Sequence, residues 1–111
     1  MKQVSPAMWP TAFALLFLVL AVPPAMISQK PTPVATASGK RIFSQSCASC
    51  HDTLGNATKT GPTLKNYYRH QPRPSDAAVR NTIEQGKGKM PAFSTFNQKQ
   101  INDLIAYLRT L

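Results

Sequence analysis

The sequence predicts an all-α domain of three to four short helices. Three observations carry that expectation. Ile101, Leu104, Ile105 and Leu108 fall at i, i+3, i+4 and i+7, the apolar stripe of one helix face. Ser75 to Gln85 is bracketed by helix punctuation, with Pro74 ahead, Ser75 as cap and Gly86 behind. No stretch reads convincingly as a strand.

Taken in order, the chain begins with an uncharged stretch from Val4 to Gln29, and inside it Thr11 to Val22 is densely apolar. Lys2 and the α-amine are the positive charges ahead of it. Such a segment goes to the export machinery and places the rest of the chain outside the cytoplasm. The dense run has the length of a signal-peptide core. The wider stretch from Ala7 to Ile27 approaches the ~20 residues that span a bilayer as an N-terminal hydrophobic helix. No small-x-small cleavage site comes closely after it, and Pro10, Pro23 and Pro24 sit near the ends of the span, where they disturb a helix least. The reading favours an uncleaved anchor over a cleaved signal.

Residues 29–38 have the Pro, Thr and Ala content of a semi-rigid extended spacer. The expected organisation is therefore an export signal or transmembrane anchor over 1–28, a linker over 29–38 and a folded domain over 39–111. A first helix is expected from about Gly39 to Cys50, capped by Ser38, with Ile42, Phe43 and Cys47 as apolar anchors. In the third helix Ala78, Val79 and Ile83 are expected to face inward. In the last, Asn97 and Gln100 have capping-box spacing.

The residues that bear chemistry are Cys47-Ala48-Ser49-Cys50-His51. C-x-x-C-H is the attachment sequence of a c-type haem. Two thiols at this spacing can add across the two vinyl groups, and the adjoining imidazole is placed to ligate iron. Other uses of the pattern fit less well. A thioredoxin-type dithiol wants a βαβ context. A structural zinc wants four ligands, and His51 comes directly after Cys50, which makes one tetrahedral ion awkward for both. A Cys47–Cys50 disulfide would close a small strained loop and leave His51 without a role. A covalent porphyrin also gives a short domain the apolar mass its own core lacks, so the haem-free chain is expected to be largely unfolded.

The net charge is +9, thirteen Lys and Arg against four acids. Lys59, Lys65, Arg69, Arg73, Lys87 and Lys89 are scattered rather than clustered. They can form a generic solvated surface or a basic rim that steers an acidic redox partner. Nucleic acid is excluded as a partner by the export signal and by the lack of interleaved aromatic and basic residues.

From Gly39 to Leu111 the chain resembles a small monohaem class I cytochrome c. The match lies in four blocks in the family's order, besides C-x-x-C-H itself: Gly39-x-x-x-Phe43, Gly61-Pro62-Thr63-Leu64, Gly86 to Phe93 around Met90, and Leu104, Tyr107 and Leu108. The resemblance implies a cytochrome c fold wrapped around one covalent haem c, with Cys47 and Cys50 as attachment points. It implies His51 and Met90 as axial iron ligands, the Pro62 carbonyl as acceptor for the His51 ring N–H, and Leu64 in the haem-binding loop. It also implies that Gly39 permits a close crossing of the first and last helices, with Tyr107 at the crossing. A methionine is ordinarily core filler, but Met90 is the one methionine after the haem motif and sits in a Gly-Lys-Met-Pro loop. His70 is the rival sixth ligand and reads better as a surface histidine. Tyr67 and Tyr68 are open between haem contact and ordinary loop aromatics.

The expected function is single-electron transfer by a membrane-tethered carrier, with its haem domain on the periplasmic side and no catalytic residues. Its partners would be acidic redox proteins or a membrane redox complex. Two readings compete: a permanently bound haem subunit of a respiratory or photosynthetic complex, and a haem-based sensor or peroxidase. The latter needs an open iron position and an acid–base pair, for which only His70 offers itself.

Overall fold

The computed structural model describes residues 30–56 and 59–111. Helix α1 spans Pro33–Ser46, α2 Asp76–Gln85 and α3 Gln98–Leu108, with a 3₁₀ turn at Tyr67–Arg69 between α1 and α2. Among the described residues there is no strand, only an isolated bridge between Lys87 and Met90.

Helix α1 starts earlier than its expected Gly39 boundary. Thr32 is the cap, accepting from the Ala35 N–H at 3.2 Å, and Pro33 takes the first turn, where its missing N–H costs nothing. Residues 33–38, expected as part of an extended spacer, are thus helical, and Ser38 lies inside the helix rather than at its cap. The proline content is deceptive because Pro33 sits at the one helical position that tolerates proline. The helix ends at Ser46, before the expected Cys50, and the chain tightens there: the N–H groups of Cys47 and Ala48 both reach the Phe43 carbonyl. The hydrophobic segment over 1–28 lies outside the described residues. No helix among the described residues is long and apolar enough to cross a membrane.

Helices α1 and α3 cross in close contact at Gly39. A Cβ there would lie 1.9 Å from the Asp103 carbonyl oxygen and 2.9 Å from the Tyr107 Cβ. No other residue type fits without moving a helix. Below the crossing Phe43 packs on Tyr107, ring centroids 5.4 Å apart. Ile101 and Leu104 are fully buried on the α3 stripe, each contributing about 1.5–3 kcal/mol of burial. Asn97 and Gln100 form the expected capping box, each side chain bonded to the other's N–H at 2.9 Å.

Helix α2 is capped by Ser75, whose hydroxyl accepts from Ala78 N–H at 3.1 Å, and is closed by Gly86. Val79 and Ile83 face the core, as expected, but Ala78 is exposed. At 100° per residue the Val79–Ile83 pair sets the buried face, and Ala78 turns off it.

A polar lock joins three elements. The buried Tyr68 donates its hydroxyl to Asp76 Oδ1 at 3.0 Å, and Arg109 Nη2 donates to the same oxygen at 2.6 Å. The Arg109 guanidinium carbon lies 4.9 Å from the Tyr68 ring centroid. The 3₁₀ turn, the start of α2 and the end of α3 meet there.

Candidate functional site

The motif sits on the turn just after α1. The N–H groups of Cys50 and His51 donate to the Cys47 carbonyl at 3.1 and 2.9 Å, which coils the five residues into one turn. Both cysteines are free thiols, Cys47 half-buried and Cys50 exposed. Burial, aided by the neighbouring Cys50, pushes the Cys47 thiol up to about 11.

The loop over 61–64 folds back on this turn. Gly61 N–H donates to the Cys50 carbonyl at 2.7 Å, and His51 Nδ1 donates to the Pro62 carbonyl at 2.8 Å. Leu64 N–H donates to the Asp52 carbonyl at 2.8 Å. A Cβ on Gly61 would meet the His51 ring at 2.7 Å, so only glycine lets the backbone approach the imidazole this closely. Because a carbonyl can only accept, the Nδ1 contact fixes the tautomer with its proton on Nδ1. The Nε2 lone pair is left for a metal.

Met90 is held by a separate turn. Lys87 and Met90 exchange backbone hydrogen bonds at 3.0 Å each across Gly88, at φ +58°, and Lys89, while Gly86, at φ +74°, turns the chain out of α2 just ahead of them. A Cβ on Gly86 would lie 2.5 Å from the Met90 carbonyl oxygen. Phe93 N–H donates to the Ile83 carbonyl at 2.9 Å and docks the loop on α2.

The surroundings fit a covalent, flat apolar group. Leu64, Tyr67, Met90 and Phe93, from separate segments, pack against the core yet stay half-exposed. They offer apolar surface without closing over it. With two free thiols and an imidazole prepared to ligate through Nε2, the donor set is that of a c-type haem site.

His70 is exposed, its ring centroid 6.4 Å from that of Tyr67. Tyr68 is a structural residue of the lock: burial and its bond to Asp76 raise its pKa well above the usual phenol range. Nothing in the local sequence pairs Tyr68 with Asp76 and Arg109. Asp52 is a further site residue that the haem motif does not announce. Its carboxylate gathers the N–H groups of Leu54, Gly55 and Asn56 at 2.7–3.0 Å. Burial acts to raise its pKa, but these donors and the Thr63 hydroxyl outweigh it and hold the carboxyl below the usual range. The Asp-x-x-Gly-Asn run is its one local signal. Lys59, Lys65, Arg69, Arg73, Lys87 and Lys89 are all exposed, and among the described residues none is in an ion pair.

The family described as cytochrome C oxidase, cbb3-type, subunit III matches residues 34–108. Cytochrome c6 of Thermosynechococcus vestitus is 34% identical over 87 residues, 75% of this chain and 78% of that protein. Cytochrome c6 of a Synechococcus species is 31% identical over 100 residues, 88% of this chain and 89% of its own length. Cytochrome c oxidase subunit 2 of Alkalihalophilus pseudofirmus is 30% identical over 95 residues, 75% of this chain but 28% of that subunit.

Proposed function

This chain belongs to the monohaem class I c-type cytochromes, and from that membership we propose that it is a membrane-tethered single-electron carrier whose haem iron is ligated by His51 and Met90. The family carries covalently bound haem c, and Cys47 and Cys50 have the attachment spacing. When bound, the haem supplies a one-electron iron couple.

The observation that carries the ligand reading is the Nδ1 contact of His51 with the Pro62 carbonyl, which keeps that proton in place and presents Nε2. Met90 would supply a second ligand from its turn, a thioether that favours reduced iron and raises the potential. Two protein ligands leave no open position for substrate, which suits a carrier. Leu64 and its half-buried apolar neighbours would give the haem an apolar surface to lie against. The exposed lysines and arginines form a basic surface suited to an acidic redox partner.

The test is spectroscopic. The oxidised holoprotein should show the weak far-red absorption of thioether-ligated haem iron. Met90→Ala should abolish it, and His70→Ala should leave it in place. Survival of the band in Met90→Ala rules out this ligand.

The hydrophobic segment over 1–28, read as an uncleaved anchor, supports tethering with the haem domain on the periplasmic side. A detergent-free, high-salt extract containing the protein cut near residue 26 or 38 would instead mean a soluble periplasmic carrier. A second reading, a fixed haem subunit of an oxidase, is favoured by the likeness to two oxidase subunits. A subunit stays with its complex through detergent and salt, whereas a carrier washes off. A sensor or peroxidase would require rapid carbon monoxide binding by the reduced native protein.

A further inference from the structure

We propose that Asp52 is a positioning residue for the haem ligand: it clamps the loop whose Pro62 carbonyl orients the His51 imidazole. The inference rests on His51 ligating iron and deepens that reading by adding a residue that acts through another. Residues 50, 51 and 52 bond in register to the facing loop. Cys50 takes the Gly61 N–H at 2.7 Å, His51 gives its Nδ1 proton to Pro62 at 2.8 Å, and Asp52 takes the Leu64 N–H at 2.8 Å. The Thr63 hydroxyl lies within reach of both the Asp52 carbonyl, at 3.4 Å, and its Oδ1, at 3.3 Å.

Pro62 has no N–H of its own to anchor it. Its carbonyl direction is set by the peptide planes on either side. The downstream one is held by the Leu64 N–H on the Asp52 main-chain carbonyl, a bond that any residue at position 52 keeps, and the Asp52 side chain adds its own hold through the Thr63 hydroxyl. The side chain performs a second task from the same oxygen. Oδ1 also accepts from Leu54, Gly55 and Asn56, at 2.8, 2.7 and 3.0 Å, which folds the chain after the motif back against Asp52. One carboxylate oxygen therefore joins the stretch leaving the motif to the loop that orients the ligand. Oδ2 is shielded from solvent and has no partner among the described residues. An asparagine can still present its amide oxygen in the Oδ1 place, with an unpartnered amide nitrogen left in the sheltered Oδ2 place, whereas an alanine leaves those donors to solvent and unties them from the loop. Partners of this outer kind fix tautomer and ring orientation at metal-bound histidines.

The experiment tracks the His51 ring N–H of the reduced holoprotein by proton NMR. Asp52→Ala should speed its exchange with solvent by about tenfold or more, the opening expected when roughly one hydrogen bond is lost. Asp52→Asn should stay close to wild type, and Thr63→Val should fall between. Asp76→Ala, which breaks the Tyr68–Asp76–Arg109 lock instead, controls for loss of stability alone and should leave the exchange slow. The proposal is overturned if Asp52→Ala exchanges no faster than Asp76→Ala, or if Asp52→Asn is as fast as Asp52→Ala. Should Asp52→Ala fail to mature, Thr63→Val decides: a wild-type rate overturns the proposal and a faster one upholds it. A wild-type holoprotein with no iron-bound histidine signal removes the ligand reading, and the proposal with it; a normal signal that is insensitive to Asp52 removes the proposal alone.

Discussion

Gly39 and Asp103 meet backbone to backbone, with no room between α1 and α3 for even one side-chain carbon. The atom in the way is a helical carbonyl oxygen, which cannot rotate aside as a flexible side chain would. Gly39→Ala should therefore push the helices apart and cost about 3 kcal/mol, the upper end for overpacking. Urea unfolding of the holoprotein measures it. A loss within ~0.5 kcal/mol, the range of ordinary surface substitutions, would mean that the crossing can relax.

Gly86 and Gly88 form a matched pair. Both have positive φ, +74° and +58°, but an added Cβ meets the Met90 backbone at the first and open space at the second. Gly88→Ala should cost only the left-handed strain, roughly 1–2 kcal/mol, and keep the far-red absorption. Gly86→Ala should also displace the Met90 turn and diminish that band. Equal spectra for the two variants would detach Met90 ligation from the Gly86 turn.

The Asp76 lock should be visible in the pH dependence of stability. Burial alone would raise the Asp76 pKa, but bonds from Arg109 and Tyr68 and the charges of Arg109 and Arg80 win and lower it. A depressed carboxylate stabilises the fold above its unfolded value, about 3.9, and ceases to as pH falls through the folded value. Asp76→Ala should therefore be less stable by about 1–2 kcal/mol at pH 7, because the bond to Tyr68 is sheltered while the ion pair is partly exposed. That gap should persist down to about pH 4 and close below it. Denaturant titrations of both proteins across this range supply the comparison, and a gap that does not narrow in acid contradicts the assignment.

Electron transfer to an acidic redox protein should slow as salt is added, because screening shortens to about 8–10 Å at 0.1–0.15 M. Stopped-flow rates against ionic strength report this. Reversing Lys87 and Lys89 to glutamate should flatten the slope if the Met90 side of the domain is the docking face. Rates indifferent to salt would leave the +9 charge without a steering role.

The features legible in the sequence are those that local chemistry fixes. Whereas the glycine at the helix crossing is legible only through the family resemblance, the α3 stripe and its capping box and the Ser75 and Gly86 ends of α2 have short-range signatures. The haem motif is legible for the same reason, as five adjacent residues carry it. The illegible features share a different cause. Pro33 has opposite meanings at a helix start and in a spacer, and only the Thr32 cap decides between them. Tyr68 is secured by partners at positions 76 and 109, a pairing that exists only once the chain has folded. Asp52 is half legible: the turn it caps over 54–56 is local, but its hold on Thr63 and Leu64 depends on the loop folding back.

The early start of α1 alters the mechanics upstream of the haem. As helix, residues 33–38 advance about 1.5 Å each, against about 3.1 Å in an extended polyproline chain. The lever between Thr32 and the close crossing is thus roughly 9 Å of stiff rod rather than nearly 20 Å of loose cord. Residues 33–38 therefore move with the redox centre as one piece, and any reorientation of that centre relative to what precedes it has to arise ahead of Pro33.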